Sequence, residues 1–388
     1  MIDAARIPLA LYVHLPWCVR KCPYCDFNSH ALPAAGLPEQ AYLAALLDDL
    51  EHAVGAVAGR EVVSVFFGGG TPSLFSARAV AAVLERARSL LPMAADVEVT
   101  LEANPGTVEH GRFADYAAAG VNRISLGAQS FADARLEALG RIHGSGDIGR
   151  AVAEIRRAGI ANFNLDLMYA LPGQDVTGAV ADLERALELE PAHLSHYQLT
   201  LEPGTPFARR PPPGLPDDDL AWAMQEACQA RLAAAGFEQY EVSGYARAGR
   251  RCRHNLVYWQ FGDYLGIGAG AHGKVTGQEG RGEIMRTVRV RHPAAYMSAA
   301  GRVARVAESR QVLPGELPFE FVLNALRLNE GFAVDDFERR TGQPASVLAQ
   351  PLARALERGL LEGDGARWRP TALGRRFLND LQALFLPA

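Results

Sequence analysis

Lysine is almost missing from this chain. Of its 39 basic residues only Lys21 and Lys274 are lysine. Beside the abundance of alanine, that scarcity fits genome composition bias and carries no functional weight. A basic surplus is missing too. The 44 acidic residues leave a net charge of −5, so nucleic acid is not an expected partner. No apolar run approaches the roughly 20 residues of a membrane span, and no transmembrane segment is expected. The opening MIDAARIPLA lacks the charged-then-apolar layout of a secretory signal. Cysteine is scarce, five in 388 residues, and odd in number. That argues against a disulfide scaffold and for a reducing, cytoplasmic setting.

What is present begins with a rhythm. Six β-like runs rich in Val, Ile, Leu and aromatics fall at 11–15, 62–67, 97–101, 123–126, 163–168 and 194–200. They read as continuous apolar strands covered on both faces. Between and after them, segments of helical periodicity fall at 42–57, 77–91, 111–119, 148–158, 178–189 and 220–235. Such alternation predicts βα units and a parallel sheet. Six units make a partial barrel, whereas eight would close it. Polar and glycine-rich stretches follow the strands: a cysteine loop after the first, GGGTP (68–72) after the second, EANPG (102–106) after the third, GAQS (127–130) after the fourth, and Asp166 and Tyr169 at the fifth. Ligand sites gather at the carboxyl edge of parallel sheets, so one site is expected there. Residues 255–291 read as irregular and glycine-rich. Helices at 319–328, 334–341 and 344–358, a ribbon at 359–371 and a last helix at 372–386 look like a winged-helix module, expected to pack against the rest of the chain.

The cysteine loop, HLPWCVRKCPYCDFNSH, places Cys18, Cys22 and Cys25 in a C-x3-C-x2-C spacing. A structural zinc site needs four ligands, and the fourth would have to be His14, His30, Cys252 or His254. Three thiolates can instead hold three irons of a [4Fe–4S] cube, leaving the fourth iron for a small molecule.

Joined to GGGTP at the second strand, this spacing resembles the radical S-adenosylmethionine (SAM) superfamily. The resemblance covers roughly residues 10–375. It implies an α/β fold: a radical SAM partial (β/α)6 barrel with a C-terminal α+β winged-helix-like domain. The corresponding divisions are a core at 1–245, a glycine-rich connecting segment at 246–315 and a terminal domain at 316–388. In that superfamily SAM occupies the open iron, and one electron from the cluster splits its sulfonium to release a 5′-deoxyadenosyl radical. The resemblance therefore implies a [4Fe–4S] cluster and SAM as cofactors, and an electron donor for the cluster. It places Cys18, Cys22 and Cys25 on iron and Tyr24 against the adenine. Gly69, Gly70 and Thr71 line SAM, with Glu102, Gln129, Arg141 and Asp166 as polar contacts and Tyr12 beside the cluster.

Within the superfamily, YVHLPWCVRKCPYCDFNSH, FFGGGTPS, NRISLGAQSF, LGRIH and NLDLMYALPGQ resemble oxygen-independent coproporphyrinogen III oxidase and its relatives. The oxidase carries a fourth cysteine two places after the third, where this chain has Phe27, and a longer segment before the first strand. CRHNLVYW (252–259) contains H-N-x-x-Y-W, which looks like the mark of the heme-chaperone branch. That branch implies heme bound by His254, with Tyr258 and Trp259 supporting the pocket, and acceptor hemoproteins as partners. Ligation needs a neutral imidazole, so binding is expected to weaken as pH falls through the histidine range. Two functions stay open: heme binding and transfer, or radical decarboxylation of coproporphyrinogen III. A homodimer is carried as an expectation that the residues do not fix.

Overall fold

The computed structural model describes residues 2–57, 59–107, 112–277, 282–299 and 301–387. The six anticipated strands are β1 (Leu9–Leu15), β2 (Val62–Gly69), β3 (Met93–Ala103), β4 (Arg123–Gln129), β5 (Asn162–Tyr169) and β6 (His193–Gln198). They lie side by side in sequence order, each neighbouring pair parallel. Helices Glu39–Ala53, Ala77–Leu90, Arg112–Ala119, Ser145–Arg157, Val176–Glu188 and Asp218–Ala234 follow them in turn. The third was anticipated from residue 111, which lies outside the described residues. Side-chain caps start several of these helices. Ser76 Oγ accepts from Ala79 N at 3.2 Å, Asp175 from Gly178 N at 2.7 Å and Asp217 from Leu220 N at 2.9 Å. Each such cap contributes about 1 kcal/mol.

The strands alternate, which corrects the expectation of continuous apolar runs. Leu11, Val13, Val65, Phe67, Val99, Leu101, Ile124, Leu126, Leu165 and Leu167 share one core with the helices. Fully burying such side chains contributes about 1.5–3 kcal/mol each. The residues between them, among them Tyr12, Ser64, Glu98, Glu102, Ser125, Asn164 and Asp166, fall on the opposite face by the period of two. That face is polar.

The glycine-rich segment is a second correction. It holds a helix, Arg253–Trp259, and strands that extend the sheet. After β7 (Glu238–Gln239) and β8 (Gly244–Ala246) come β9 (Asp263–Ile267), β10 (His272–Thr276), β11 (Ile284–Arg289) and β12 (Val306–Gln311). The twelve-stranded order is β12-β11-β10-β9-β1-β2-β3-β4-β5-β6-β8-β7, with β9 parallel to β1 and β10–β12 antiparallel. A buried charge cluster pins this extension. Asp263 takes Arg60 Nη1 at 2.7 Å and Lys274 Nζ at 2.8 Å. Lys274 also donates to the carbonyls of Phe261 and Gly262. Half of the chain's scant lysine is thus a buried structural cation.

Beyond β12, helices Leu317–Ala325, Val334–Thr341 and Ala349–Glu357 pack with a three-stranded sheet of Phe332–Ala333, Leu361–Gly363 and Arg367–Pro370. Phe321 meets Phe332 and Phe337 edge-on at 5.2 Å in a core of their own. The anticipated last helix is split at Phe377 (φ −112°, ψ 48°) into Ala372–Arg376 and Leu378–Ala383. This module packs on the sheet extension: Phe261 and Phe321 rings are 5.5 Å apart, and Asn329 Nδ2 donates to Gln239 O at 2.7 Å.

Candidate functional site

The cysteine loop is held by backbone bonds to the ends of β1 and β2. Gly70 N donates to Leu15 O at 2.9 Å, Thr71 N to Trp17 O at 2.7 Å and His30 N to Pro16 O at 2.7 Å. Inside the loop Cys25 N reaches Cys22 O at 3.2 Å, and Lys21 Nζ donates to Phe27 O at 2.9 Å. The second lysine therefore closes the loop. Asn28 Nδ2 ties the loop to the sheet extension, donating to the carbonyls of Ala269 and Arg291, both at 2.9 Å.

These bonds bring Cys18, Cys22 and Cys25 to one cavity with Tyr24, Gly69, Gly70, Thr71, Glu102, Gln129, Arg141 and Asp166. Tyr12 sits beside it, on an adjoining chamber that shares Phe27, Gly69 and Glu102 with it. Ser125 and Tyr197 also line the first cavity and were missed from the sequence. Tyr197 lies two residues past Ser195 on β6, which pairs with Asp166, so the strand's period of two puts it on the cavity face.

Burial sets the electrostatics. Arg141 donates to Gly127 O at 2.9 Å and reaches Cys22 Sγ at 3.6 Å, while its Nε has no partner. A guanidinium so placed favours a thiolate or a ligand carboxylate. Gly69 N donates to Glu102 Oε2 at 3.1 Å, and Asp166 accepts from Asn164 Nδ2 at 2.7 Å and Ser125 Oγ at 3.3 Å. Burial, then Asp166, pushes the Glu102 carboxyl up to about 8, and burial raises Asp166. The paired acids thus favour a cation or hydroxyl donors between them. Gln129 adopts φ +68°, a left-handed conformation costing a non-glycine residue about 1–3 kcal/mol. Tyr197 donates to its Oε1 at 2.9 Å. His14 is held neutral, its pKa lowered to about 4 by burial. Its Nε2 lies 2.9 Å from Asn28 O. A carbonyl only accepts, so Nε2 carries the proton and Nδ1 accepts from the Tyr12 hydroxyl at 3.0 Å.

The glycines of GGGTP also let the backbone close. A Cβ on Gly70 would sit 2.5 Å from Trp17 O, and one on Gly69 (φ +118°) 2.6 Å from the His14 ring. The glycines let β2 close against the cysteine loop. A valine at 70 would disrupt that closure before it met any ligand, so Glu102 is the cleaner probe.

Glu102→Gln should raise the melting temperature of cluster-free protein at pH 8.5 and leave it near wild type at pH 5. A folded pKa of about 8 against an ordinary 4.5 makes ionised Glu102 a cost that grows as pH rises between those values. Melts at the two pH values check it. A gap that does not widen with pH would show that Glu102 ionises freely.

The cavity suits an iron–sulfur cube. Three thiols line it, yet among the described residues no three His, Cys, Asp or Glu side chains converge as a single metal ion requires. A cube offers separate corners to separate thiolates. Arg141 and the two acids would then face whatever fills the open corner.

The motif 252–259 lies elsewhere. Its helix sits against the polar inner face of the sheet: Glu98 Oε1 accepts from Arg253 N at 2.9 Å, and Ser64 Oγ lies 3.1 Å from His254 Nδ1. The His254 ring stacks on Phe66 at 4.8 Å and is 2 % exposed, its Nε2 unpartnered. It lies behind Tyr12 and Tyr258, 6.1 and 5.1 Å away, which line the second chamber. Trp259 stacks under Arg327 of the C-terminal module at 4.2 Å.

A partial barrel of six parallel strands, a C-x3-C-x2-C loop at its carboxyl edge and a glycine closure on β2 define the radical SAM class. Residues 12–184 match the Radical SAM superfamily and residues 313–377 the HemN C-terminal domain. The chain is 50% identical over 380 residues to the heme chaperone HemW of Escherichia coli K12, with 98% of each covered. It is 46% identical to that of Haemophilus influenzae, again over 98% of each. The chain belongs to the HemW family. The solved Escherichia coli coproporphyrinogen III oxidase HemN matches with a TM-score of 0.82 at 23% identity, covering 98% of this chain and 90% of that one, which shows a shared fold. No helix among the described residues is long and apolar enough to cross a membrane.

Proposed function

We propose that the protein is a heme chaperone: it binds heme beside a SAM-ligated [4Fe–4S] site and hands it to acceptor hemoproteins. The observation that carries this reading is the identity of half the residues, along nearly the whole chain, with a protein named as a heme chaperone. Cys18, Cys22 and Cys25 would hold the cluster. Gly69, Gly70, Thr71, Glu102, Gln129, Arg141 and Asp166 would surround SAM, with Tyr24 against its adenine and Tyr12 alongside. When bound, the pair supplies one-electron chemistry at SAM's sulfonium, fed by an external donor. The chain's own part is to exclude water, offer Arg141 to a carboxylate and set Glu102 and Asp166 around a cation or hydroxyls. His254 would ligate heme iron once its helix moves off the sheet, because its free nitrogen is buried in this arrangement. The cytoplasmic setting and a homodimer belong to the same proposal.

The test is transfer. Hemin-loaded protein mixed with an apo-hemoprotein should yield the acceptor's own Soret spectrum; heme retained by the donor would count against the reading. Coproporphyrinogen III, supplied anaerobically with SAM and a reductant, should give no vinyl product. The oxidase's fourth cysteine is replaced by Phe27, a residue 63% exposed at the cavity. Robust vinyl formation would restore the oxidase reading.

A further inference from the structure

The helix that carries His254 does not hold itself. Arg253–Trp259 has seven residues, well short of the roughly 12–15 that an isolated helix needs in water. Its N-cap is Cys252, whose side chain makes no capping bond, and cysteine is not among the residues that cap well. The N–H groups of a first helical turn have no partner within the helix. Here β3 supplies one from outside. Glu98 Oε1 accepts from Arg253 N at 2.9 Å, from His254 N at 3.4 Å and from the Cys252 thiol at 3.7 Å. Glu98 is buried, and so is Arg123, which stands on β4 at the register of Thr100 and whose charge acts on Glu98 and Cys252. Asp96, two residues back on β3, takes the Arg253 guanidinium at 2.6 Å, but both side chains are exposed, and exposed pairs contribute little. The buried contact is therefore the one that counts.

We infer that Glu98 is the positioning residue of His254: it caps the motif helix from the neighbouring strand, keeps it on the sheet, and must let go of the first turn before the imidazole is free. The inference rests on the heme-carrying reading and adds to it the group that governs access to the ligand. The other contacts divide the work differently. Ser64, paired with Glu98 across β2 and β3, and the Phe66 face hold only the imidazole. Glu98 holds the backbone of the first turn, so it decides whether the helix stays as a unit. The far end is pinned by Trp259 under Arg327 at 4.2 Å. The helix therefore opens from the Glu98 end, where His254 is the second residue and moves furthest.

The experiment is hydrogen–deuterium exchange on cluster-free, full-length protein, read over residues 252–259, beside stopped-flow hemin binding. Glu98→Ala should quicken exchange there about tenfold, the scale of a lost helix cap, and quicken the slow phase of hemin binding by the same factor. Glu98→Gln keeps an acceptor of the same reach and should restore both. Cys252→Ser added to Glu98→Ala places a hydroxyl at the N-cap, where φ −68° and ψ 114° already suit one, and should slow exchange again. Asp96→Ala removes only the exposed pair and should change neither rate by more than about twofold. Exchange in β4 and β5 should stay as in wild type, which separates a released helix from general loosening. If Glu98→Ala exchanges over 252–259 as wild type does, if it loosens β4 and β5 as well and the serine does not rescue it, or if Asp96→Ala is equally fast, Glu98 is not the cap. If exchange quickens while hemin binding does not, His254 is reached by another route and the inference falls. If wild type binds no hemin, the heme-carrying reading fails, while the exchange result still decides whether Glu98 holds the helix.

Discussion

Protein with Cys18, Cys22 and Cys25 all replaced by alanine should take up no iron–sulfur cluster on anaerobic reconstitution, and its broad visible charge-transfer absorption should vanish. The effect should be complete because the loop supplies every nearby thiol. The two remaining cysteines are out of reach: Cys228 is buried in the Asp218–Ala234 helix, and Cys252 lies beneath the sheet, 3.7 Å from Glu98. Replacing both of those together should leave the absorption intact. Folding should survive the triple change, since the loop is held by backbone bonds, Lys21 and Asn28 rather than by the thiols. Single replacements should be graded. Cys22 is the thiol that Arg141 touches, so loss of Cys22 also leaves a buried guanidinium facing an empty corner. Iron and sulfide analysis beside the visible spectrum measures all of this. A triple variant that still assembles a full cluster would overturn the ligand assignment.

Much of this architecture was legible because the chemistry sits where the rhythm breaks. Residues at or near the ends of β1 to β5 interrupt an apolar run, and among those interruptions the cysteines, Gly69, Gly70, Thr71, Glu102, Gln129 and Asp166 line one cavity. The inner face was not legible. Counting apolar residues along a strand hides the partners that alternate with them, so Ser125 and Tyr197 went unseen. The segment 255–291 misled for a physical reason. Its glycines looked like loop punctuation, yet Gly266 packs against the His272 carbonyl and Gly270 (φ +80°) against the Asn28 side chain. They are strand and hairpin residues stripped of side chains because the sheet and the cysteine loop crowd them. His292, which sequence position alone would make a neutral control for histidine replacement, proves unsuitable. Its ring is 5.6 Å from His30 of the cysteine loop.

His254→Ala should abolish the histidine-ligated Soret band of the hemin complex while leaving the reconstituted cluster's spectrum unchanged. The argument starts from a nitrogen without a partner. Ser64 satisfies Nδ1, but Nε2 is buried and bonded to nothing, a state costing about 1–3 kcal/mol. Iron ligation would relieve that cost, but only after the Arg253–Trp259 helix lifts the ring from Phe66. Hemin binding should therefore show a slow phase in wild type that the variant lacks. The pH expectation changes with this burial. Burial, then the Arg123 charge, lowers the His254 pKa to about 3, so the ring is already neutral from pH 5 to 8. The resting closed state carries no proton to lose within that window, so binding that starts from it should not weaken as pH falls through 6.5. Alanine also removes a stacked ring from the core, so the melting temperature must be compared. His254→Gln provides the second variant, keeping polar atoms near Ser64 while offering no imidazole. Stopped-flow absorbance with hemin, run on both variants and on His52→Ala, a control at an exposed helix position beside Asp48, reads the result. If both variants keep the wild-type band and its slow phase, His254 is a structural plug against the inner face of the sheet, and the iron is held elsewhere.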